Sequence, residues 1–576
     1  MPYNQFMNTE NTTTQAEAQT ALESINIISP GALPVALKLS EIGNVREIVN
    51  RSVCWDSSKA KVEPGVLAEI LVASLLCGER PLYRIQELWT HQGFPPYLEK
   101  HGVSVSQLND DAFEYLLDRI AEADGQKIVE AVAMEFMAVH EITIELAHGD
   151  TSSVSVEGAY EDDTEGNFTV TYGHSKDHRP DLKQIKLGLF VQQEGLPFSG
   201  EMLSGNTSDK KWNPQAVEYA AQLVKEHGYD ESIFVSDSAL VSGKCLRSLA
   251  EKDIDFISLL PGTFSLEKML KDQACKESAW IDLEIPGYRA FSTTGEIEGS
   301  LFDFLVISSE KLGKRKEKSL ADHIAREQKG FTKKAEQLHK ETFACEADAQ
   351  KAMRKLMNTI EAKGYTVTGS LHCEEKPLRR PGRPKKDGIP EMEQHWKALV
   401  TPGELREDIY KQRLQRESTF VLVYRLENHQ DRKNPGDILD AYKNQNTVEQ
   451  GFRFLKQPVY LGPIFLKKPG RIKALGYIFF LVLLVAKYLE YRVRLGLKRQ
   501  DKRLIRGGSE MLNPSTKSIL DYLKILTVLQ LGNQYRMGIK NRNAILIMEA
   551  LGFDWNLYTH GNCEDTFMER QKATRE

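Results

Sequence analysis

The feature that most constrains the fold is a single apolar run, Ala474 to Ala486 (ALGYIFFLVLLVA), thirteen residues long. A helix needs about 20 such residues to cross a bilayer, so the run reads as a buried core helix and no membrane partner is expected. It follows a Lys/Arg-rich loop and leads into Lys487, Glu490, Arg492 and Arg494, which suits a helix packed inside the protein with a basic continuation. The chain of 576 residues is 41% apolar and 27% charged. That places it among ordinary globular proteins, with length enough for a catalytic core and added domains.

Patterning divides the chain. Residues 1–28 contain three acids and no Lys or Arg, carry few large apolar groups, and read as a disordered tail. Over 29–140, stretches such as VLAEILVASLLCG and DAFEYLLDRIAEAD repeat apolar residues at three- and four-residue intervals. This predicts a helical N-terminal domain, with DNA binding and dimerisation both open as its role. At 141 the period changes. ITIEL and FTVTY alternate, IKLGLFVQ leads through a turn to PFSGEML, and a helix around 213–226, the strand SIFVSD, a short helix near 244–251 and the strand DFISLL follow. The order over 141–260 is β-β-β-α-β-α-β. Residues 261–417 depart from it and read as an insertion that includes the basic linker KPLRRPGRPKKDG. The strand STFVLVYRL and one continuous helix, GDILDAYKNQNTVEQGFRFLK, resume the core over 418–500, and 501–576 reads as a helical C-terminal region.

The net charge of −6 would argue against a nucleic-acid partner if it were evenly spread. It is not: residues 466–508 carry twelve Lys and Arg against two acids. Residues 376–386 carry six and no acid, and there Arg380, Arg383 and Lys385 form an AT-hook-like Gly-Arg-Pro segment that reads equally as a flexible basic linker. The seven cysteines are scattered without a Cys-x2-Cys pair, and the N-terminus lacks a secretory pattern, so a reduced, cytoplasmic protein is expected.

Three carboxylates carry the chemistry. Phosphodiester cleavage needs an activated oxygen nucleophile and neutralisation of the leaving oxygen, which divalent metal ions held by hard oxygen ligands supply. Asp150 follows ITIELAHG at the expected end of the first strand, where Gly149 gives freedom to turn; taken alone it reads as a turn residue. Asp237 ends SIFVSD and alone reads equally as a helix N-cap. Glu449 is more informative. Tyr442, Gln445, Glu449, Arg453 and Lys456 recur at helical spacing as one polar face, beside an apolar stripe of Val448, Phe452 and Leu455 that would dock the helix on a sheet. His148 reads as a hydrogen-bonding strand-end residue, and His174, Asp177, His178 and Asp181 as a polar loop rather than a zinc site.

Taken together these pieces resemble the DDE transposases of bacterial insertion sequences, the group marked by Tyr-x2-Arg-x3-Glu-x6-Lys. The motif stands here as Tyr442, Gln445, Glu449 and Lys456, with Gln445 in place of the family's Arg. HGDTSS, YGHSKDHRPDLKQIKLGLFV, GNTSD and FVSDSALVS extend the likeness over most of 141–260 and 418–490. The resemblance implies an α/β, ribonuclease-H-like mixed-sheet core interrupted by a large insertion. It implies Asp150, Asp237 and Glu449 as catalytic ligands of two Mg2+ ions, with Mn2+ as a substitute. It also implies cleavage at element ends and strand transfer into target DNA. Terminal inverted repeats and target DNA would be the partners, and a homodimer would pair the two ends. Gln445 cannot make the charged bidentate phosphate contact of Arg, and Arg453 is the candidate to compensate.

Overall fold

The structure is a computed structural model that describes residues 25–78, 84–158, 160, 168–175, 179–277, 279–377, 392–456, 466 and 468–567. Its elements begin with a short strand, β1 (Ile25–Ile28), and seven helices: α1 (Leu33–Ile42), α2 (Val45–Ser52), α3 (Pro64–Cys77), α4 (Ile85–Gln92), α5 (Pro95–Lys100), α6 (Asp110–Glu122) and α7 (Gly125–Val139). Strands β2 (Leu146–Val156), β3 (Lys183–Gln192) and β4 (Pro197–Ser204) follow, then α8 (Asp209–Glu226), β5 (Ile233–Ser236), α9 (Gly243–Glu251) and β6 (Phe256–Leu259). The order β-β-β-α-β-α-β is therefore present. Next come α10 (Ser265–Glu277), β7 (Ile281–Asp282), β8 (Tyr288–Ile297), β9 (Ser300–Ser309), α11 (Glu310–Lys340), α12 (Glu346–Glu361), β10 (Tyr365–Pro377), β11 (Met392–Leu405), α13 (Glu407–Glu417) and β12 (Thr419–Arg425). The chain continues through α14 (Pro435–Lys443), α15 (Asn446–Leu455) and α16 (Pro469–Arg499). It then passes β13 (Leu504–Arg506), β14 (Ser509–Met511), α17 (Thr516–Leu523), β15 (Val528–Leu531), β16 (Gln534–Met537), α18 (Arg542–Leu551) and α19 (Asn556–His560).

The chain forms two compact units. The first comprises residues up to Ile257, Leu426–Gln430 and residues from Asp440 onward. Its sheet is mixed: β2 pairs antiparallel with β3, β3 antiparallel with β4, and β5 joins β2 in parallel on the other side. Helix α16 is the central buttress. It is 31 residues long with a window of mean hydropathy 1.9, and 89% of that window is buried inside the protein. The apolar run is thus a core helix, and its small residues matter. A Cβ on Gly476 would meet the Met202 sulfur at 2.2 Å, and one on Gly496 the Ala550 carbonyl oxygen at 2.1 Å. Helices α3, α6, α7 and α18 and strand β4 pack around it.

The second unit comprises Ser258–Arg425 and Asp431–Leu439. Within it β12, β9, β8 and β7 form an antiparallel array. Helices α11 and α12 cover the β10–β11 hairpin through Phe331, Leu338, Ile360, Tyr365, Ala398 and Val400.

Several expectations are corrected. Residues 25–28 belong to no tail: β1 pairs with β15, where the β-branched Ile27 and Ile28 stand opposite Leu529 and Val528. FTVTY contributes a single bridge, Thr171 to Gln184, instead of a strand, and of ITIEL only its last residue, Leu146, belongs to β2. The expected single helix around Glu449 is two. Asn444 and Gln445 form a turn, with Gln445 N–H bonding the Tyr442 carbonyl at 3.2 Å, since the run Asn-Gln-Asn competes poorly as helix interior. The region after 501 is not wholly helical. Gly507 and Gly508, at φ of 55° and 85°, close the hairpin β13–β14, and Gly532 at 58° lies between β15 and β16.

Candidate active site

Parallel strands β2 and β5 stay in register from Leu146 opposite Ile233 to Gly149 opposite Ser236. Asp150 is the next residue on β2 and Asp237 the first residue past the end of β5, so the two acids occupy neighbouring positions where β5 ends. Neighbouring strands lie about 4.8 Å apart. Asp150 is not at the end of its own strand, as expected from sequence, because β2 continues along β3 to Val156, with Asp150 opposite Leu189. Nor does Gly149 serve a turn. The Phe190 ring lies over it, and a Cβ there would meet the Phe190 Cε1 at 2.3 Å.

Both acids are half-buried and held by backbone donors. Asp150 accepts the Thr151 N–H at 2.6 Å. Asp237 caps the short turn Ser238–Leu240, accepting the Ala239 N–H at 2.9 Å, and takes a second bond from the Asn213 amide at 3.3 Å. The capping and catalytic readings of Asp237 are therefore compatible.

Glu449 stands exposed in the first turn of α15. The stripe expected to dock this helix does so: Val448, Phe452 and Leu455 are buried, and Gly451 brings the backbone to the Leu189 side chain. Helix α15 thus lies against β2, which carries Asp150, and its neighbour β3. Tyr442 links the elements. Its half-buried phenol is pushed up to about 12 by burial, reinforced by the negative charges of Asp237 and Glu449. One side chain senses both carboxylates, although Tyr442 and Glu449 lie on separate helices.

The remaining motif positions are placed as follows. Gln445 is the N-cap of α15 in helical geometry, with no side-chain cap bond. Arg453 is exposed in the last turn of α15, and Lys456 is its half-buried C-cap. Arg380, Arg383 and Lys385 lie outside the described residues, as do Asp177 and His178. His148 points to the same face of β2 as Asp150 by strand alternation. It is fully buried, and burial holds its imidazole down to about 4. Neither ring nitrogen has a hydrogen-bond partner among the described residues, contrary to the hydrogen-bonding role expected for it.

Sequence reasoning missed a neighbouring network. Asp209 accepts from Thr151 Oγ1 at 2.8 Å and from the buried Lys186 ammonium at 2.7 Å, which also donates to the Thr207 carbonyl at 2.7 Å. These bonds tie the residue after Asp150 to the start of α8. The segment GNTSD held the signal, but nothing in the linear sequence pairs Asp209 with Lys186.

The donor set is carboxylate oxygen, the chemistry a hard divalent cation requires. Asp150 and Asp237 occupy neighbouring positions, and Glu449 lies on the helix that packs against β2 and β3. Among the described residues no three His, Cys, Asp or Glu side chains are gathered closely enough to hold an ion; Asp150 and Asp237 are each drawn onto a backbone N–H of the following residues.

A sequence-family description, "Domain of unknown function (DUF4277)", matches residues 34–134, the helical stretch that precedes the sheet. No curated protein matches the chain. Among solved structures, a piggyBac transposase synaptic complex with hairpin DNA, determined by cryo-EM, is similar at 9% identity and a TM-score of 0.36. That similarity covers 85% of this chain and 79% of the other.

Proposed function

We propose that this protein is a DNA transposase that cuts phosphodiester bonds at the ends of an insertion sequence and joins those ends to target DNA. The observation that carries this reading is the meeting of Asp150 and Asp237 at neighbouring strand positions with a tyrosine that feels both Asp237 and Glu449. The antiparallel run β2–β3–β4 with β5 added in parallel supports a ribonuclease-H-like core, and the motif Tyr442, Glu449 and Lys456 supports the DDE family.

Asp150, Asp237 and Glu449 would hold the divalent metal, Mg2+ or Mn2+, which when bound lowers the cost of forming the attacking oxygen nucleophile and of expelling the leaving oxygen. The chain's own groups do the rest. Tyr442 stays protonated well above neutrality and donates its hydroxyl proton in a hydrogen bond to a phosphate oxygen. Gln445 offers a neutral amide donor where the family has a guanidinium, and Arg453 and Lys456 supply positive charge further along α15. In the first step a water oxygen forms a bond to phosphorus and the element's 3′-oxygen leaves as a hydroxyl. In the second that hydroxyl attacks a target phosphodiester, and the target's own 3′-oxygen leaves. The partners are double-stranded terminal inverted repeats and target DNA, with a homodimer to pair the ends, in the cytoplasm.

The test is Mg2+-dependent cleavage and joining of a DNA fragment carrying the gene's flanking sequence. Asp150→Ala and Glu449→Gln should abolish both products while DNA binding persists, and Tyr442→Phe should slow cleavage about a hundredfold. Cleavage that survives Glu449→Gln would falsify the site.

A further inference from the structure

A cavity of about 770 Å³ opens beside α15 in the first unit. Arg453 of α15, Lys487 and Arg494 of α16, and Lys517 and Lys524 at α17 line it, against the acids Glu490 and Asp521. Glu490 is already engaged. Its carboxylate accepts the Thr516 N–H at 3.0 Å and the Thr516 hydroxyl at 2.8 Å, pairs with Arg494, and lies 3.6 Å from the Lys487 ammonium. One carboxylate thus serves two cations, and the Lys487 side chain is only 11% exposed. Arg453, Lys517 and Lys524 are exposed and enter no ion pair among the described residues.

A concave site with surplus positive charge and low-dielectric walls concentrates anions. Arg84 and the polar side chains of Gln92, Gln450 and Ser515 share the lining with an apolar part made by Leu33, Leu76, Leu88, Phe454 and Leu520. An aromatic ring and leucine side chains accommodate a planar base, whereas an inorganic ion would make no use of them.

We propose that this cavity is a binding chamber for a nucleoside phosphate, with Arg453, Lys517 and Lys524 on the phosphate and the base against Phe454 and the leucines. A nucleotide within a DNA strand and a free nucleotide share this chemistry. The strand is the occupant favoured here, resting on the function proposed above: Arg453 is one turn from Glu449 on α15, about 6 Å along the axis, so a strand at Glu449 reaches the chamber.

The experiment measures binding in EDTA of a fluorescein-labelled six-nucleotide single strand, by anisotropy, and of adenosine triphosphate, by calorimetry. The proteins are the full chain, the double variant Lys517→Glu/Lys524→Glu, and a charge-matched control on α12, Lys351→Glu/Lys355→Glu. The expected result is affinity about tenfold lower in the cavity variant and unchanged in the control. Loss for the oligonucleotide assigns the chamber to a strand, and loss for the triphosphate alone assigns it to a free nucleotide. Equal affinity of cavity variant and wild type, an equal loss in the control, or binding of neither probe by the wild type overturns the proposal. Because no cleavage is read, the two ideas fail separately. A protein that never cuts can still lose binding in the cavity variant, and one that cuts can bind equally without these lysines.

Discussion

The guanidinium of Arg492, buried within α16, grips both carboxylate oxygens of Asp565 at 2.9 and 2.7 Å. It also donates to the Leu551 carbonyl at 2.5 Å and lies against the rings of Phe567, at 4.3 Å, and Phe553, at 4.9 Å. Removing Asp565 leaves a fully buried cation without its counter-charge. Asp565→Ala is therefore expected to cost roughly 3 kcal/mol, read as a lower urea midpoint at pH 7. A change below about 0.5 kcal/mol would show that the pair holds nothing in place.

His148 and His140 are both held down to about 4, in each case mainly by burial, with Arg492 adding to the effect on His140. The ordinary value is 6.5, so between pH 6.5 and 4 the unfolded chain binds protons that the folded chain does not. Stability is expected to fall as pH drops through that window, by a few kcal/mol per histidine at most, and to level off below it. Urea titrations at pH 7, 6 and 5 test this. His148→Gln should flatten part of the slope, and an unchanged slope would remove His148 as its source.

Glu69 has the opposite sign. It is 3% exposed, and burial pushes its carboxyl up to about 7 despite the hydroxyl of Tyr97 donating to it at 2.5 Å and the nearby charge of Arg46. The folded protein keeps a proton here that the unfolded chain releases near 4.5, so this stabilisation is lost as pH rises through 7. Glu69→Gln, which stays neutral, should gain roughly 2 kcal/mol on the wild type between pH 5 and pH 8. Parallel stability curves for the two proteins over that range would refute a protonated Glu69.

Gly149 separates packing from chemistry at the site. An alanine there forces its Cβ into the Phe190 ring, at a cost of roughly 1–3 kcal/mol, and displaces the neighbouring Asp150. Gly149→Ala should lower both stability and cleavage, and Gly149→Ala/Phe190→Leu should recover part of each. Double-mutant coupling near zero would mean that the ring is not the obstacle.

The order of strands in the first unit was legible because alternation marks half-buried strands and the polar stretches between them are short. The docking stripe on α15 was legible for the same reason, since Val448, Phe452 and Leu455 recur at helical spacing. What escaped the sequence were tertiary events. Tyr442 and Glu449 share an electrostatic neighbourhood across a broken helix, which periodicity alone had joined. Gly149 looked like a turn glycine because its reason for being small, the Phe190 ring, lies on another strand. Asp209, half-buried, and the buried Lys186 form an ion pair that no spacing rule anticipates. β1 was hidden because four residues at the edge of a polar segment become a strand only when Val528–Leu531 lies beside them.

That last pairing has a kinetic consequence. Asn26 and Gln530, bonded through their side chains at 3.2 Å, are 504 residues apart, and the sheet they belong to cannot close until the second of them exists. At ordinary ribosomal speeds of about 5 to 20 residues per second, β1 waits on the order of 25 to 100 s for its partner. During that interval a short run of isoleucines stands as an open edge, available to chaperones or to another nascent chain, and the first unit becomes whole only after Val528–Leu531 has been made.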